Sequence, residues 1–269
     1  MAHTSADVLI LRTVKRGEND CLVTGLCKDG RIHLMTKGAS SIRRREPAST
    51  EPFTWSNMEI YDKNGFKWIK SATALNSFAG IRYDMDKLFL SAYIADVAYE
   101  LSDEGEPAGE ILPLVLNTLH TLATCAREDV ARVKAAFEIR AACIAGFAPD
   151  LTTCTRCHAH VGGDAYLDVM NGALVCRACF ERAQTLLPIP QMDGSEERRL
   201  LLPLDASSLA ALAFVVGADA KRVFAFRVSD TASLTRFGSA AECYLLNHLE
   251  RGFESLENYK KLASFAPLT

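Results

Sequence analysis

Two Cys-x-x-Cys pairs, Cys154/Cys157 and Cys176/Cys179, stand eighteen residues apart and constrain this chain more than any other feature. Each pair offers two thiolates from one tight turn. Two such turns supply the four-sulfur tetrahedral shell that Zn²⁺ prefers. Structural disulfides would need an exporting signal, and residues 1–30 show no basic start followed by a long apolar core. His158 and His160 follow the first pair closely, but four thiolates already close the shell and leave no open position for water. The expectation is one structural zinc ion on Cys154, Cys157, Cys176 and Cys179, with both histidines solvated. Cys21, Cys27, Cys125, Cys143 and Cys243 sit singly in apolar runs and read as core residues.

At 269 residues the chain exceeds one average domain. No apolar run reaches the eighteen or so residues of a membrane span, and no lipidation motif is present, so a cytoplasmic protein is expected. The net charge of -3 conceals an asymmetry. Residues 1–80 carry twelve Lys/Arg against eight Asp/Glu, a net of +4, while the rest carries eighteen against twenty-five, a net of -7. A basic partner surface therefore belongs at the N-terminus.

From Val8 to about Leu75 the pattern is short alternating segments separated by turn signals. Five strands are expected, roughly 8–14, 21–27, 31–37, 54–62 and 66–74, with hairpin turns at Lys28-Asp29-Gly30 and Asp62-Lys63-Asn64-Gly65. Five short antiparallel strands predict a small closed barrel, an OB-fold or an SH3-like one. After Phe78 the spacing becomes helical. One stripe runs Met85, Leu88, Phe89, Ala92, Tyr93, Val97; a second Ile111, Leu112, Val115, Leu119, Leu122; a third Val130, Val133, Phe137, Ala141, Ile144. The acidic stretch Ser102-Asp103-Glu104-Gly105-Glu106-Pro107 separates the first from the second. Helix returns around Leu209, Leu212, Val215 and Val216 and again from Ala232 to about Gly252. The fold class is α+β multidomain: a five-stranded barrel over 1–80, a helical domain over 81–150 and 183–269, and a four-cysteine zinc module inserted at 151–182.

An enzyme of this size would show its apparatus. There is no phosphate loop, no Gly-x-Gly-x-x-Gly, no Gly-x-Ser-x-Gly and no His-Glu-x-x-His. The pairs Asp84/Asp86 and Glu104/Glu106 read as solvated acids. The chain is expected not to be an enzyme.

The segment Lys37-Gly38-Ala39-Ser40-Ser41-Ile42-Arg43-Arg44-Arg45 joins the third strand to the fourth with four positive charges and no acid before Glu46. Arg31 and His33 share an outer face with it, and Arg12, Lys15, Arg16, Lys63, Lys67 and Lys70 extend the patch. A sugar-phosphate backbone is the natural partner of such a groove. Four cations, each neutralising one phosphate of a single strand, predict a slope of log K against log salt of about -2.8. Trp55, Tyr61, Phe66 and Trp68 can stack on bases, but a small barrel needs aromatics inside, and burial is the expected role of each. The chain also admits an RNA-binding or transcription-associated barrel with a zinc ribbon, a metal-dependent nuclease using the helical carboxylates, or a protein-only adaptor to which the arginine loop is incidental.

In order, Val8-Leu9-Ile10-Leu11-Arg12-Thr13, Gly17-Glu18-Asn19-Asp20, Leu22-Val23-Thr24, Asp29-Gly30-Arg31, Lys37-Gly38-Ala39 and Glu51-Pro52-Phe53 resemble the bacterial RecO family of DNA repair proteins. Phe137-Glu138-Ile139-Arg140, Gly146-Phe147-Ala148-Pro149-Asp150-Leu151, the cysteine pairs and Asn171-Gly172-Ala173-Leu174-Val175-Cys176 follow the same course. The resemblance implies an OB-fold, a helical domain and a zinc module in a recombination mediator without turnover, associated with the nucleoid. Such proteins bind single- and double-stranded DNA, anneal complementary strands, associate with RecR, and help load RecA onto strands coated by single-stranded DNA-binding protein (SSB). They also dock the acidic, hydrophobic C-terminal tail of SSB on the helical domain. Arg132, Lys134 and Arg140, on the helix bearing Phe137, meet the demand for cations beside an apolar groove.

Overall fold

The computed structural model describes residues 3–16, 20–37, 47–185 and 200–265. Five strands, β1 (His3–Arg16), β2 (Asp20–Cys27), β3 (Gly30–Lys37), β4 (Trp55–Lys63) and β5 (Phe66–Asn76), close a barrel in the order β1-β2-β3-β5-β4. Only β3 and β5 run parallel, which is OB-fold topology. β1 pairs β4 through residues 3–9 and β2 through 9–16, and a register shift between Ile10 and Arg12 bends it so that one strand serves both neighbours. The hairpin turns fall where Asp-Gly and Asn-Gly place them: φ is 101° at Gly30, 54° at Asn64 and 77° at Gly65.

The interior consists of Val8, Ile10, Val23, Cys27, Leu34, Met58 and Ile60, with Ala6, Ile32, Ile69 and Ala72 packed against them. No aromatic is among them, and the expected burial of Trp55, Tyr61, Phe66 and Trp68 is corrected. Branched aliphatic side chains fill the lumen, Trp55, Tyr61 and Trp68 are only half-buried, and Phe66 is 57% exposed.

The chain forms two compact units, 1–126 with 253–269, and 127–252. In the first, α1 (Met85–Glu100) packs against β1, α2 (Ile111–Thr124) and α7 (Glu254–Phe265). Asp84 caps α1 by accepting from the N–H groups of Asp86 and Lys87, so it is a helix cap rather than a free surface acid. The buried face of α1 is Leu90, Tyr93, Ile94 and Val97, whereas Met85 is 56% exposed. The stripe expected there is rotated, because three neighbours draw apolar residues from several sides of the helix. The second and third stripes are buried as expected, save that Ile144 is only half-buried.

In the second unit α3 (Val130–Ile144) packs against α5 (Ala206–Gly217) and α6 (Thr231–His248). Between them in sequence lie β6 (Asp150–Cys154), β7 (Ala165–Asp168), β8 (Ala173–Cys176) and α4 (Arg177–Thr185). A further strand, β9 (Leu201–Leu204), completes a sheet ordered β6-β8-β7-β9. Among the described residues, no helix is long and apolar enough to cross a membrane.

Candidate metal centre and nucleic-acid interface

β6 and β8 lie parallel and each ends in a cysteine, Cys154 and Cys176, so both Cys-x-x-Cys turns leave the sheet at the same end. Cys157 sits in the turn after β6, and Cys179 in the first turn of α4. The four sulfurs all lie within 4.8 Å of one another. The Cys157 and Cys176 sulfurs are 3.8 Å apart, which matches the roughly 3.8 Å edge of a tetrahedron with metal–sulfur bonds of about 2.3 Å. Burial alone would raise the Cys154 thiol, yet backbone N–H groups of Cys176 and Arg156 aimed at its sulfur bring it down to about 6. Cys179 moves the other way, pushed up to about 12 by hydrogen bonding to Cys157 and by burial. Four sulfurs at this spacing form a soft donor set of the kind that holds a divalent cation. His158 and His160 are exposed and lie outside the cluster, and Nδ1 of His160 meets the Thr152 carbonyl oxygen at 3.1 Å.

The cations expected to meet nucleic acid divide into three groups. Arg12, Lys15, Arg16 and Lys67 are exposed on the barrel. Arg31 and Lys70 are engaged by the protein itself. Lys70 pairs with Glu59 at 3.2 Å, and Arg31 donates to the Tyr99 carbonyl at 2.8 Å, faces Asp103 at 3.9 Å and lies 4.0 Å over the Tyr99 ring. Arg12 lies 4.3 Å over the same ring. Arg43, Arg44 and Arg45 lie outside the described residues, and of Lys37 only the backbone pairing with Asp20 is described.

Sequence reasoning missed what the acidic stretch does. It docks on the β2–β3 hairpin: the Arg31 N–H donates to the Asp103 carbonyl, and the Ala108 N–H to that of Lys28. Glu104 pairs with Nε2 of His33 at 2.9 Å, and Nδ1 of His33 lies 3.1 Å from the Thr24 hydroxyl. A Cβ at Gly30 would collide with the carbonyl oxygens of Asp103 and Glu106, so the hairpin glycine is also the seat of this loop. The only advance signal was an acidic run in the same unit as a basic strand.

Of the four residues expected to receive a partner peptide, Phe137 has no exposed surface, and Lys134 lies buried between Glu138 and Glu242, 2.7 Å from each. Arg140 donates to the Val216 carbonyl at 3.2 Å. α3 packs on two helices, which turns these residues inward. Arg132 borders a cleft of ≈ 770 Å³ lined also by Phe224, Phe226, Arg227 and Leu234 and by the acids Glu128, Asp129 and Asp230. It bonds Asp129 and the Phe224 carbonyl and lies 5.5 Å over the Phe226 ring.

Family models agree with this architecture. That described as Recombination protein O N terminal matches residues 1–78, and that described as Recombination protein O C terminal matches residues 82–257. A protein named DNA repair protein RecO from Acetivibrio thermocellus is 25% identical over 263 residues, 97% of this chain and 98% of the relative. Proteins of the same name from Anaeromyxobacter sp. (strain Fw109-5) and Anaeromyxobacter dehalogenans (strain 2CP-C) are 32% and 31% identical, covering 81% and 76% of this chain and 86% and 80% of their own lengths.

Proposed function

The chain belongs to the RecO family, and from that premise we propose that it is a recombination mediator in DNA repair that binds single- and double-stranded DNA and anneals complementary strands without ATP. The observation that carries this reading is the outside of the barrel, where Arg12, Lys15, Arg16 and Lys67 remain exposed while neighbouring cations are neutralised. Annealing requires that phosphate repulsion between two strands be offset without base readout, and flexible exposed cations do this in a salt-dependent way. The Arg43-Arg44-Arg45 triplet, which follows β3 in the sequence, adds three charges. In this reading Cys154, Cys157, Cys176 and Cys179 hold zinc, a closed structural site that keeps the small sheet folded and takes no part in a reaction.

Working with RecR, the protein helps load RecA onto SSB-coated strands. The SSB tail, acidic and apolar together, docks in the cleft at Arg132, where its apolar residues meet Phe224 and Phe226 and its carboxylates compete with Asp129 for Arg132, with Arg227 beside it and Glu128 and Asp230 also in the lining.

The test is titration of labelled single-stranded DNA at 50 and 200 mM salt, concentrations between which four phosphate contacts imply a loss of roughly fifty-fold. Replacing Arg43, Arg44 and Arg45 by Glu should abolish annealing and flatten the salt slope by about 0.7 for each phosphate that the variant no longer neutralises. A wild-type protein that fails to bind at low salt would refute the mediator reading. Loss of tail-peptide binding in Arg132→Glu/Arg227→Glu, with DNA binding retained, is expected for the second site.

A further inference from the structure

The cations of the β2–β3 hairpin are met by acids from within the same unit. Strand register sets Arg12 opposite Thr24 and Thr24 opposite His33, and Arg31 stands two residues before His33. Their chain neighbours Val23, Ile32 and Leu34 belong to the interior, so Arg12, Arg31 and His33 share the outer face. Two of them also share one ring, with the guanidinium of Arg31 4.0 Å and that of Arg12 4.3 Å from the centroid of Tyr99. The turn between β2 and β3 adds Lys28 and Asp29, whose charges cancel. The local balance is therefore set by the loop at 102–107, which carries Asp103, Glu104 and Glu106.

Backbone and side chains hold this loop with different firmness. Its ends are fixed: the buried Ser102 hydroxyl donates to the Ala98 carbonyl at 2.7 Å, and the buried Ala108 N–H to that of Lys28 at 3.0 Å. Its acids are held loosely. Asp103 faces Nη2 of Arg31 at 3.9 Å, beyond hydrogen-bond range, with its side chain 81% exposed. Glu104 meets Nε2 of His33 at 2.9 Å with its side chain 60% exposed. Ion pairs this well solvated contribute little to stability. Arg31 is also incompletely satisfied: Nη1 donates to the Tyr99 carbonyl, whereas Nε is buried and has no hydrogen-bond partner among the described residues. The ion trio at Lys134, buried with contacts of 2.7 Å, shows what a permanent pairing in this chain looks like. A carboxylate on a guanidinium or imidazole offers the same kind of acceptor as a phosphate oxygen, and here it leaves Nη2 of Arg31 open to a better one.

We propose that Asp103 and Glu104 are an internal phosphate mimic, which occupies Arg31 and His33 in the free protein and gives way to a phosphodiester backbone. Phosphate oxygens then take Nη2 of Arg31 and Nε2 of His33 beside exposed Arg12. The loop backbone stays on the hairpin, and only the two acidic side chains turn away. This rests on the DNA-binding reading and deepens it: the acids hold this face of the barrel below its full affinity, so that a bound strand is readily released.

Asp103→Asn/Glu104→Gln removes the mimic and keeps the shape of the loop. Labelled oligothymidylate should bind this variant on the order of fivefold more tightly than wild type at 50 mM salt. The slope of log K against log salt should steepen by about 0.7 for the phosphate that Arg31 gains, so the advantage falls to about twofold at 200 mM. Glu254→Gln/Glu257→Gln, which removes two exposed charges from α7 of the same unit, should leave affinity at the wild-type value. In an Arg31→Gln/His33→Gln background the gain should vanish. His33→Gln alone, which leaves the Arg31 contacts with Tyr99 in place, should cancel the share due to Glu104→Gln. The mimic is overturned if its removal leaves binding unchanged, if the α7 variant gains as much, or if the gain survives without Arg31 and His33. Each of these leaves the exposed cations standing as the DNA site. A wild type and a mimic-free variant that both ignore oligothymidylate at 50 mM salt overturn the DNA-binding reading as well.

Discussion

The two units fill their interiors by different means. The barrel encloses aliphatic side chains and one thiol, Cys27, which burial pushes above its ordinary value and so keeps neutral. The second unit holds chemistry that depends on its surroundings: a four-sulfur cluster that runs from buried Cys154 to exposed Cys157, the ion trio Lys134, Glu138 and Glu242, and the half-buried imidazole of His248. Hydrocarbon packing is indifferent to pH and metal supply, whereas buried charge and thiolate are not. The barrel should therefore respond to changes of volume, and the second unit to changes of solution.

Removing metal gives the largest expected effect. Structural zinc contributes on the order of 10 kcal/mol to small sites, more than the sheet of β6 to β9 can supply from strands of four and five residues. Chelation, or Cys157→Ser, should abolish hydrogen-exchange protection in residues 150–182 while β1 to β5 keep theirs. Peptide-resolved exchange would show it, and equal loss in both units would break the contrast.

Next comes the ion trio. Lys134 is held above its ordinary value: desolvation works downward, and the Glu138 and Glu242 carboxylates outweigh it. Lys134→Met would remove the cation that lies between the two carboxylates and should cost about 3–5 kcal/mol in denaturant unfolding. Leu34→Ala in the barrel should cost a similar amount, about 2–5 kcal/mol, but by leaving a cavity. The two separate on acidification. Protonating Glu138 and Glu242 relieves the Lys134→Met variant and does nothing for Leu34→Ala. Identical pH dependence in the two variants would mean that the trio acts only as packing.

The same difference explains what could be read in advance. Alternation, Asp-Gly and Asn-Gly turns, and Cys-x-x-Cys spacing are local signals, and they located the five strands and the four sulfurs. What escaped depends on partners distant in sequence. β9 pairs with β7 across more than thirty residues, and α7 returns to α1, with Phe253 edge-on to Tyr93 at 5.6 Å and the Ser255 hydroxyl on Asp96. Lys134 reads locally as an outward cation available to a partner peptide, and only Glu242, 108 residues away, reveals that it belongs to an interior trio with Glu138. The aromatics of β4 and β5 went outward because the ladder set their parity, which composition does not encode.

The smallest effect expected is that of His248. Its ring stacks on Phe147 at 4.7 Å and meets Tyr244 edge-on at 4.3 Å, and its buried Nε2 has no hydrogen-bond partner among the described residues. Burial holds the imidazole below its ordinary value, against the weaker pull of the Val169 carbonyl. The unfolded chain therefore takes up a proton first, at about pH 6.5. The stability contributed by neutral His248 is present in full above that pH and is lost as pH falls toward the folded-state value. Melting of wild type and His248→Phe at pH 7.5 and 5.5 measures this. The variant should lose less between the two, and because the barrel interior contains no imidazole, the difference should be confined to exchange in residues 127–252. A variant whose loss equals that of wild type would assign the acid sensitivity of the second unit to its sulfurs and carboxylates.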